Sequence, residues 1–247
     1  MAHKFEAIFI DLGNTLRILL KDAGHQAAAR QKIVELVGTD EDPEAFCEKL
    51  NFRYKDYRKW AFEHLREAPE AELWTRWLVP DFPCERIAPL AVELTYQFRQ
   101  SMGRRVVVEN GRQVVEELQR RGYILGIISN LIGSREIPEW LQAEGFASYF
   151  KAVVLSSTFG KRKPDPSIYL EAARLAGVEP SGCVYVGDNL KRDVTGTRQA
   201  GFGMVVIMIS PEEPAQATLT DENLPDVIIH EFKELLDLFP ALESQHA

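Results

Sequence analysis

The sequence predicts an α/β fold: a doubly wound, Rossmann-like parallel sheet with an all-helical domain inserted after the first strand. Three observations carry this. Short apolar runs alternate with stretches of helical spacing. The runs are nearly continuous, as in strands buried on both faces. One long segment, 17–105, breaks the rhythm with charged, helical sequence.

The runs are Ala7 to Ile10, Tyr123 to Ile128, Ala152 to Leu155, Cys183 to Val186, Met204 to Ile209 and Val227 to Ile229. Between them, Val114, Val115 and Leu118 form one apolar stripe, and Ile168, Tyr169, Ala172, Ala173 and Leu175 another. Segment 17–105 shows no convincing β run. Its aromatics (Phe52, Tyr54, Tyr57, Trp60, Phe62, Trp74, Trp77, Tyr96 and Phe98) are expected to form its own core, and Pro80, Pro83 and Pro89 punctuate it. Ser210 to Pro225 is polar and proline-rich and reads as a surface loop. Leu235, Leu236, Leu238 and Phe239 predict a closing helix. The expected division is therefore a core of 1–16 and 106–247 and a helical domain of 17–105.

Composition narrows the function classes. Of 247 residues, 45% are hydrophobic and 27% charged, which excludes a disordered chain. A net charge of −8 argues against a protein that grips nucleic acid over its whole surface. No apolar stretch approaches the ~20 residues of a membrane span. The run that starts the chain stops at Asp11, so it does not read as a leader. Cys47, Cys84 and Cys183 are far apart and form no metal pattern; they read as buried thiols in a reducing compartment. A cytoplasmic protein is expected. Its oligomeric state is not legible.

Four motifs stand at predicted strand ends. Asp11 follows the first strand, at the sheet edge where open α/β folds bind ligands, and serves there as nucleophile, metal ligand or loop cap. Gly13 and Asn14 allow a tight turn with free backbone N–H groups, suited to phosphate. Ser129 and Asn130 offer a hydroxyl and further N–H groups, or simply a helix cap. Lys163 precedes the turn Pro164-Asp165-Pro166, in which Asp165 reads as N-cap and Pro166 as first helical residue. A fixed ammonium beside Asp11 would keep that carboxylate ionised and offset phosphate charge. The alternative for this basic stretch is a solvated loop. Finally, Gly187-Asp188 is followed by Asp193, two carboxylates at a spacing that suits a hard cation, Mg²⁺ above all. Asp193 alternatively only faces the helix N-terminus.

In type and order these motifs resemble those of the haloacid dehalogenase superfamily: Asp11-Leu12-Gly13-Asn14-Thr15-Leu16, Ser129-Asn130, Lys163-Pro164-Asp165-Pro166, and Gly187-Asp188 with Asp193. The likeness covers the core, and the inserted segment matches the family's cap by position and helical character only. It implies a phosphatase of a small phosphorylated metabolite. In that reading Asp11 forms an aspartyl-phosphate, and Asn14, Ser129, Asn130 and Lys163 bind phosphate. Asp11, Gly13 (through its carbonyl), Asp188 and Asp193 hold Mg²⁺.

One departure matters. Family phosphatases carry an acid/base Asp two residues after the nucleophile, and here Gly13 stands there. General acid/base catalysis is worth ~10²–10⁴-fold. Alkyl phosphates, whose leaving group needs a proton, should suffer most. Asp22 and His25 are the nearest substitutes in sequence. Three other readings stay open: a catalytically impaired protein that only binds phosphate and metal, a dehalogenase acting through Asp11 without metal, and a phosphonate hydrolase. The last needs an imine-forming cap lysine, and Lys21, Lys49, Lys55 and Lys59 offer none that stands out. Of the cap arginines Arg53, Arg58, Arg66, Arg76, Arg99, Arg104 and Arg105, one or two are candidates to meet an acidic substrate and the rest read as solvated helix faces; the sequence does not single them out.

Overall fold

A computed structural model describes residues 5–209, 220 and 223–242. Six parallel strands form one sheet: β1 (Ala7–Ile10), β4 (Ile124–Ser129), β5 (Phe150–Leu155), β6 (Cys183–Gly187), β7 (Met204–Met208) and β8 (Val227–Ile229). Their order is β5-β4-β1-β6-β7-β8. Within β1, Ile8 and Ile10 point into one apolar layer and Ala7 and Phe9 into the other. This two-sided burial is why the strands read as unbroken apolar runs.

Helix Gly111–Arg120 covers the first face with Val114, Val115 and Leu118. Helices Pro166–Ala176 and Leu190–Gln199 cover the second. As expected, Asp165 caps its helix, accepting a hydrogen bond from the Ser167 N–H, with Pro166 first in the helix. Leu175 does not join the stripe: it is exposed, and Ala176 is buried instead. Cys84 is also exposed, against expectation; Cys47 and Cys183 are buried. The closing helix is a short Leu235–Leu238 turn. Of the expected loop, 210–219, 221 and 222 lie outside the described residues. Among the described residues no helix is long and apolar enough to cross a membrane.

The inserted segment is not helical at its ends. β2 (Arg17–Leu20) and β3 (Arg104–Val107) form an antiparallel ribbon, pairing Arg17 with Val107 and Leu20 with Arg104. Sequence reading misses it for a physical reason. Each strand is only four residues, Ile18, Leu19 and Leu20 are exposed, and the partner strand lies far along the chain. Between the two strands run helices Ala23–Val37, Pro43–His64 and Ala91–Gln100, with shorter turns among them. They bury Tyr57, Trp74 and Phe98 in a separate apolar cluster, while Phe52 and Phe62 are exposed. Buried ion pairs tie this segment to the sheet domain, among them Arg162 to Glu67 at 3.0 Å and Arg17 to Glu136 at 2.8 Å.

Because all six strands are parallel, their carboxyl ends share one edge. Between β1 and β6 the strand order reverses, which opens a crevice in doubly wound sheets. Asp11 follows β1 and Asp188 follows β6, so the crevice falls between them.

Candidate active site

Asp11 is almost fully buried, yet each of its oxygens has partners. Oδ1 accepts hydrogen bonds from the Leu12 N–H and from Ser129 Oγ, both at 2.8 Å. Oδ2 faces Lys163 Nζ at 2.7 Å. Lys163 is fully buried and also stands 3.3 Å from Asp193 Oδ1, and it donates to the Tyr185 hydroxyl. An ammonium can stay charged in such a place only if it is paired.

Asn130 fixes the backbone that presents this lysine. Its Nδ2 donates to the Lys163 carbonyl at 2.9 Å, and its Oδ1 accepts from the Lys163 N–H at 2.8 Å. Both ends of the amide are thus engaged, and Asn130 positions Lys163 instead of offering its side chain to phosphate. Asn14 adopts a left-handed backbone, φ 53°, and donates to Asp188 Oδ2 at 3.2 Å. Gly13 needs no such conformation. A Cβ added there meets nothing within 4 Å, so the backbone itself does not require glycine.

Asp11, Asp188 and Asp193 bring carboxylate oxygens within 4.8 Å of one another. Asp193 is fully buried in the first turn of its helix and accepts from the Asn189 N–H at 3.1 Å. Gly187 is required by this packing, since a Cβ there would stand 2.4 Å from Asp193 Oδ2.

The residue that sequence reasoning missed is Arg192. Its Nη2 lies 3.2 Å from Asp11, 3.1 Å from Asp188 and 3.2 Å from Asp193. Its Nε is 2.9 Å from Asp193. A guanidinium therefore stands at the centre of the three carboxylates. The only signal was its place one residue before Asp193. Burial alone would raise Asp193, but Arg192 and Lys163 hold it below the usual carboxylate range. Burial and the charge of Asp11 push Asp188 up. Tyr185, also unforeseen, is driven well up by burial and by Asp11 and Asp193, so its hydroxyl stays protonated.

Asp22 and His25, the nearest substitutes in sequence for the absent acid/base, are engaged within the inserted segment. Asp22 caps the first inserted helix, accepting from the His25 N–H, and the His25 ring pairs with Gln100 at 3.0 Å. Neither shares a described hydrogen bond or ion pair with the Asp11 cluster.

Two cavities open on the site. A cleft of about 1080 Å³ is lined by Asn14, Asp188 and Arg192 from the sheet edge and by Phe62 and Leu65 from the inserted segment. A smaller cavity of about 210 Å³ is lined by Gly13, Asn14, Ser129 and Asn130 together with arginines of the segment's two ends.

Residues 50–207 match the model of the haloacid dehalogenase-like hydrolases. The chain belongs to this family. Its relatives include a glyceraldehyde 3-phosphate phosphatase of Methanopyrus kandleri, 34% identical over 49% of this chain and 52% of that one. The chain thus spans about half the length of that relative, and 60% of a haloacid dehalogenase-like hydrolase domain-containing protein 3 from Bos taurus. A phosphoserine phosphatase of Thermus thermophilus is 28% identical over 92% of this chain and 96% of its own. Among solved structures, a 2-haloacid dehalogenase from Pseudomonas syringae superposes with a TM-score of 0.68 at 23% identity, over 95% of this chain and 97% of that one. That likeness establishes the fold this family member shares.

Proposed function

We propose that the chain is a Mg²⁺-dependent phosphatase of a small phosphorylated metabolite, acting through an aspartyl-phosphate on Asp11. The observation that carries this reading is Asp11 at the strand-order reversal, held by two hydrogen bonds and faced by the buried Lys163 ammonium. A carboxylate so oriented is a preorganised nucleophile. Its oxygen attacks phosphorus, the ester P–O bond breaks, and the leaving oxygen takes a proton from water, since Gly13 offers no acid. Water then cleaves the acyl phosphate, restoring the Asp11 carboxylate and releasing inorganic phosphate. Lys163 offsets the negative charge of the phosphoryl group. Ser129 Oγ and the Asn14 side-chain amide are its hydrogen-bond donors; the Asn14 N–H, expected to be free, is instead given to the Arg17 carbonyl at 2.9 Å.

The donor set fits a hard divalent cation: carboxylates of Asp11, Asp188 and Asp193, to which the proposed site adds the Gly13 carbonyl. When bound there, Mg²⁺ neutralises charge on the transferred group. Arg192 Nη2 has to leave the centre of the carboxylates to make room. Segment 17–105 acts as the cap, setting Phe62 and Leu65 across the cleft from the sheet edge. Two relatives named for small phosphomonoesters support the substrate class.

A second reading draws on Arg192 itself. A tethered cation in the metal position favours a metal-independent displacement through Asp11, as in a dehalogenase. Hydrolysis of p-nitrophenyl phosphate with and without Mg²⁺, beside the Asp11→Asn variant, separates the two. Phosphate release that needs both Mg²⁺ and Asp11 is expected. Release unaffected by Asp11→Asn would sink the nucleophile assignment, and halide release from a 2-haloacid without metal would favour the second reading.

A further inference from the structure

Beside the phosphoryl site, the roots of the inserted segment bring three arginines together around one carboxylate. Arg17 Nη1 lies 2.8 Å from Glu136 Oε1, Arg99 Nη2 is 3.3 Å from the same oxygen, and Arg105 Nε is 3.6 Å away. Three guanidinium groups against one carboxylate leave an excess of positive charge in a buried place. Arg17 is 4% exposed, and among the described residues its Nε has no hydrogen-bond partner. Burial and neighbouring arginines push Arg105 down to about 9 and Arg17 to about 10, the response of cations short of counter-charge.

These arginines do not face a closed core. Arg17, Arg99 and Arg105 line the 210 Å³ cavity whose other walls are Gly13, Asn14, Ser129 and Asn130. The cavity is thus continuous with the groups assigned to the phosphoryl group. A purely structural cluster has no reason to set three cations along the wall of a cavity. Planar, fork-shaped donors match a carboxylate, which accepts two parallel hydrogen bonds.

The geometry points to an anion subsite formed by Arg17, Arg99 and Arg105, which makes the substrate a phosphomonoester bearing a carboxylate on a short arm. The substrate claim rests on Asp11 receiving the phosphoryl group, whereas the subsite itself rests on the arginines. Glu136 holds the arginine forks in place and leaves room for the second anion.

The test measures binding by calorimetry to the full chain carrying Asp11→Asn, which prevents turnover. The ligands are phosphoglycolate and ethyl phosphate, which differ in the carboxylate. Phosphoglycolate should bind about tenfold or more tightly, the worth of a charge-assisted pair. Adding Arg105→Gln should shrink that ratio to below about threefold. Equal affinities in the Asp11→Asn chain overturn the subsite, and this result needs no arginine variant to fold. A ratio that Arg105→Gln leaves intact overturns the assignment of Arg105. If the ratio behaves as expected while the wild-type chain hydrolyses no phosphate ester, the subsite stands and the phosphatase reading falls. Failure of both ligands to bind removes both.

Discussion

Two buried charge clusters of opposite sign flank the turn at Gly13 and Asn14. On one side a single guanidinium, Arg192, stands among Asp11, Asp188 and Asp193. On the other a single carboxylate, Glu136, stands among Arg17, Arg99 and Arg105. Each cluster has one central ion and a surplus of the opposite sign around it. The acidic cluster also has Lys163, so its surplus is smaller. Burying a charge is expensive unless it is paired, so an uneven cluster marks where something else completes the pairing. The acidic surplus fits a divalent cation, and the basic surplus fits an anion. In the proposed function the two centres differ in role: a metal would displace Arg192 from the acidic centre, whereas Glu136 stays as a scaffold in the basic one.

The sharpest way to break this picture is to remove one carboxylate of the acidic cluster. Asp11→Asn is expected to lower p-nitrophenyl phosphate turnover by about 10⁴-fold or more, since a covalent step loses its nucleophile. A thermal melt like that of the wild type would show that the fold survives.

Adding a carboxylate between the clusters is the next test. In Gly13→Asp the new Cβ meets nothing within 4 Å. It should raise kcat/KM on an alkyl phosphate by about 10²-fold and on an aryl phosphate by less, because only the former needs a proton on its leaving group. An equal gain on both would mean that Gly13 is not the gap in the acid/base machinery.

For the basic cluster, Glu136→Gln should destabilise the protein by about 3–5 kcal/mol, because three buried cations lose their counter-charge. Burial alone would raise the Glu136 carboxyl, but Arg99, Arg17 and Arg105 hold it at about 2. Its stabilisation is therefore complete above the ordinary carboxylate range, about pH 4.5, and is lost as pH falls towards 2. Urea unfolding between pH 6 and 3 should show an acid-side loss of stability that the variant flattens.

The smallest effect concerns Arg192. Arg192→Ala should tighten Mn²⁺ binding, followed by the ion's magnetic resonance signal, by about tenfold, because the metal no longer displaces a cation. Unchanged affinity would show that Arg192 does not compete for the centre.

The sheet was legible in the sequence because its strands are buried on both faces. A continuous apolar run is a local signal, and Ala7–Ile10 and Val227–Ile229 fall where the runs predict. The strand-end positions of Asp11, Ser129 and Asp188 follow from the same signal, as does the Asp165-Pro166 helix start, which needs only its own backbone. The β2–β3 ribbon was not legible, because two short, half-exposed strands form only when distant segments meet.

The destinations of the polar side chains were decided by tertiary structure alone. Asn130 looked like a phosphate ligand and became the clip on Lys163. Arg192, which no sequence pattern singles out, stands at the centre of three carboxylates. Arg17, the Arg99–Arg105 pair and Glu136 lie far apart in the chain and converge only where the inserted segment meets the sheet domain. Periodicity records which residues leave water, because burial is a property of each residue's own face. It does not record which charge meets which, because a long side chain takes its partner from whatever the completed packing brings within reach.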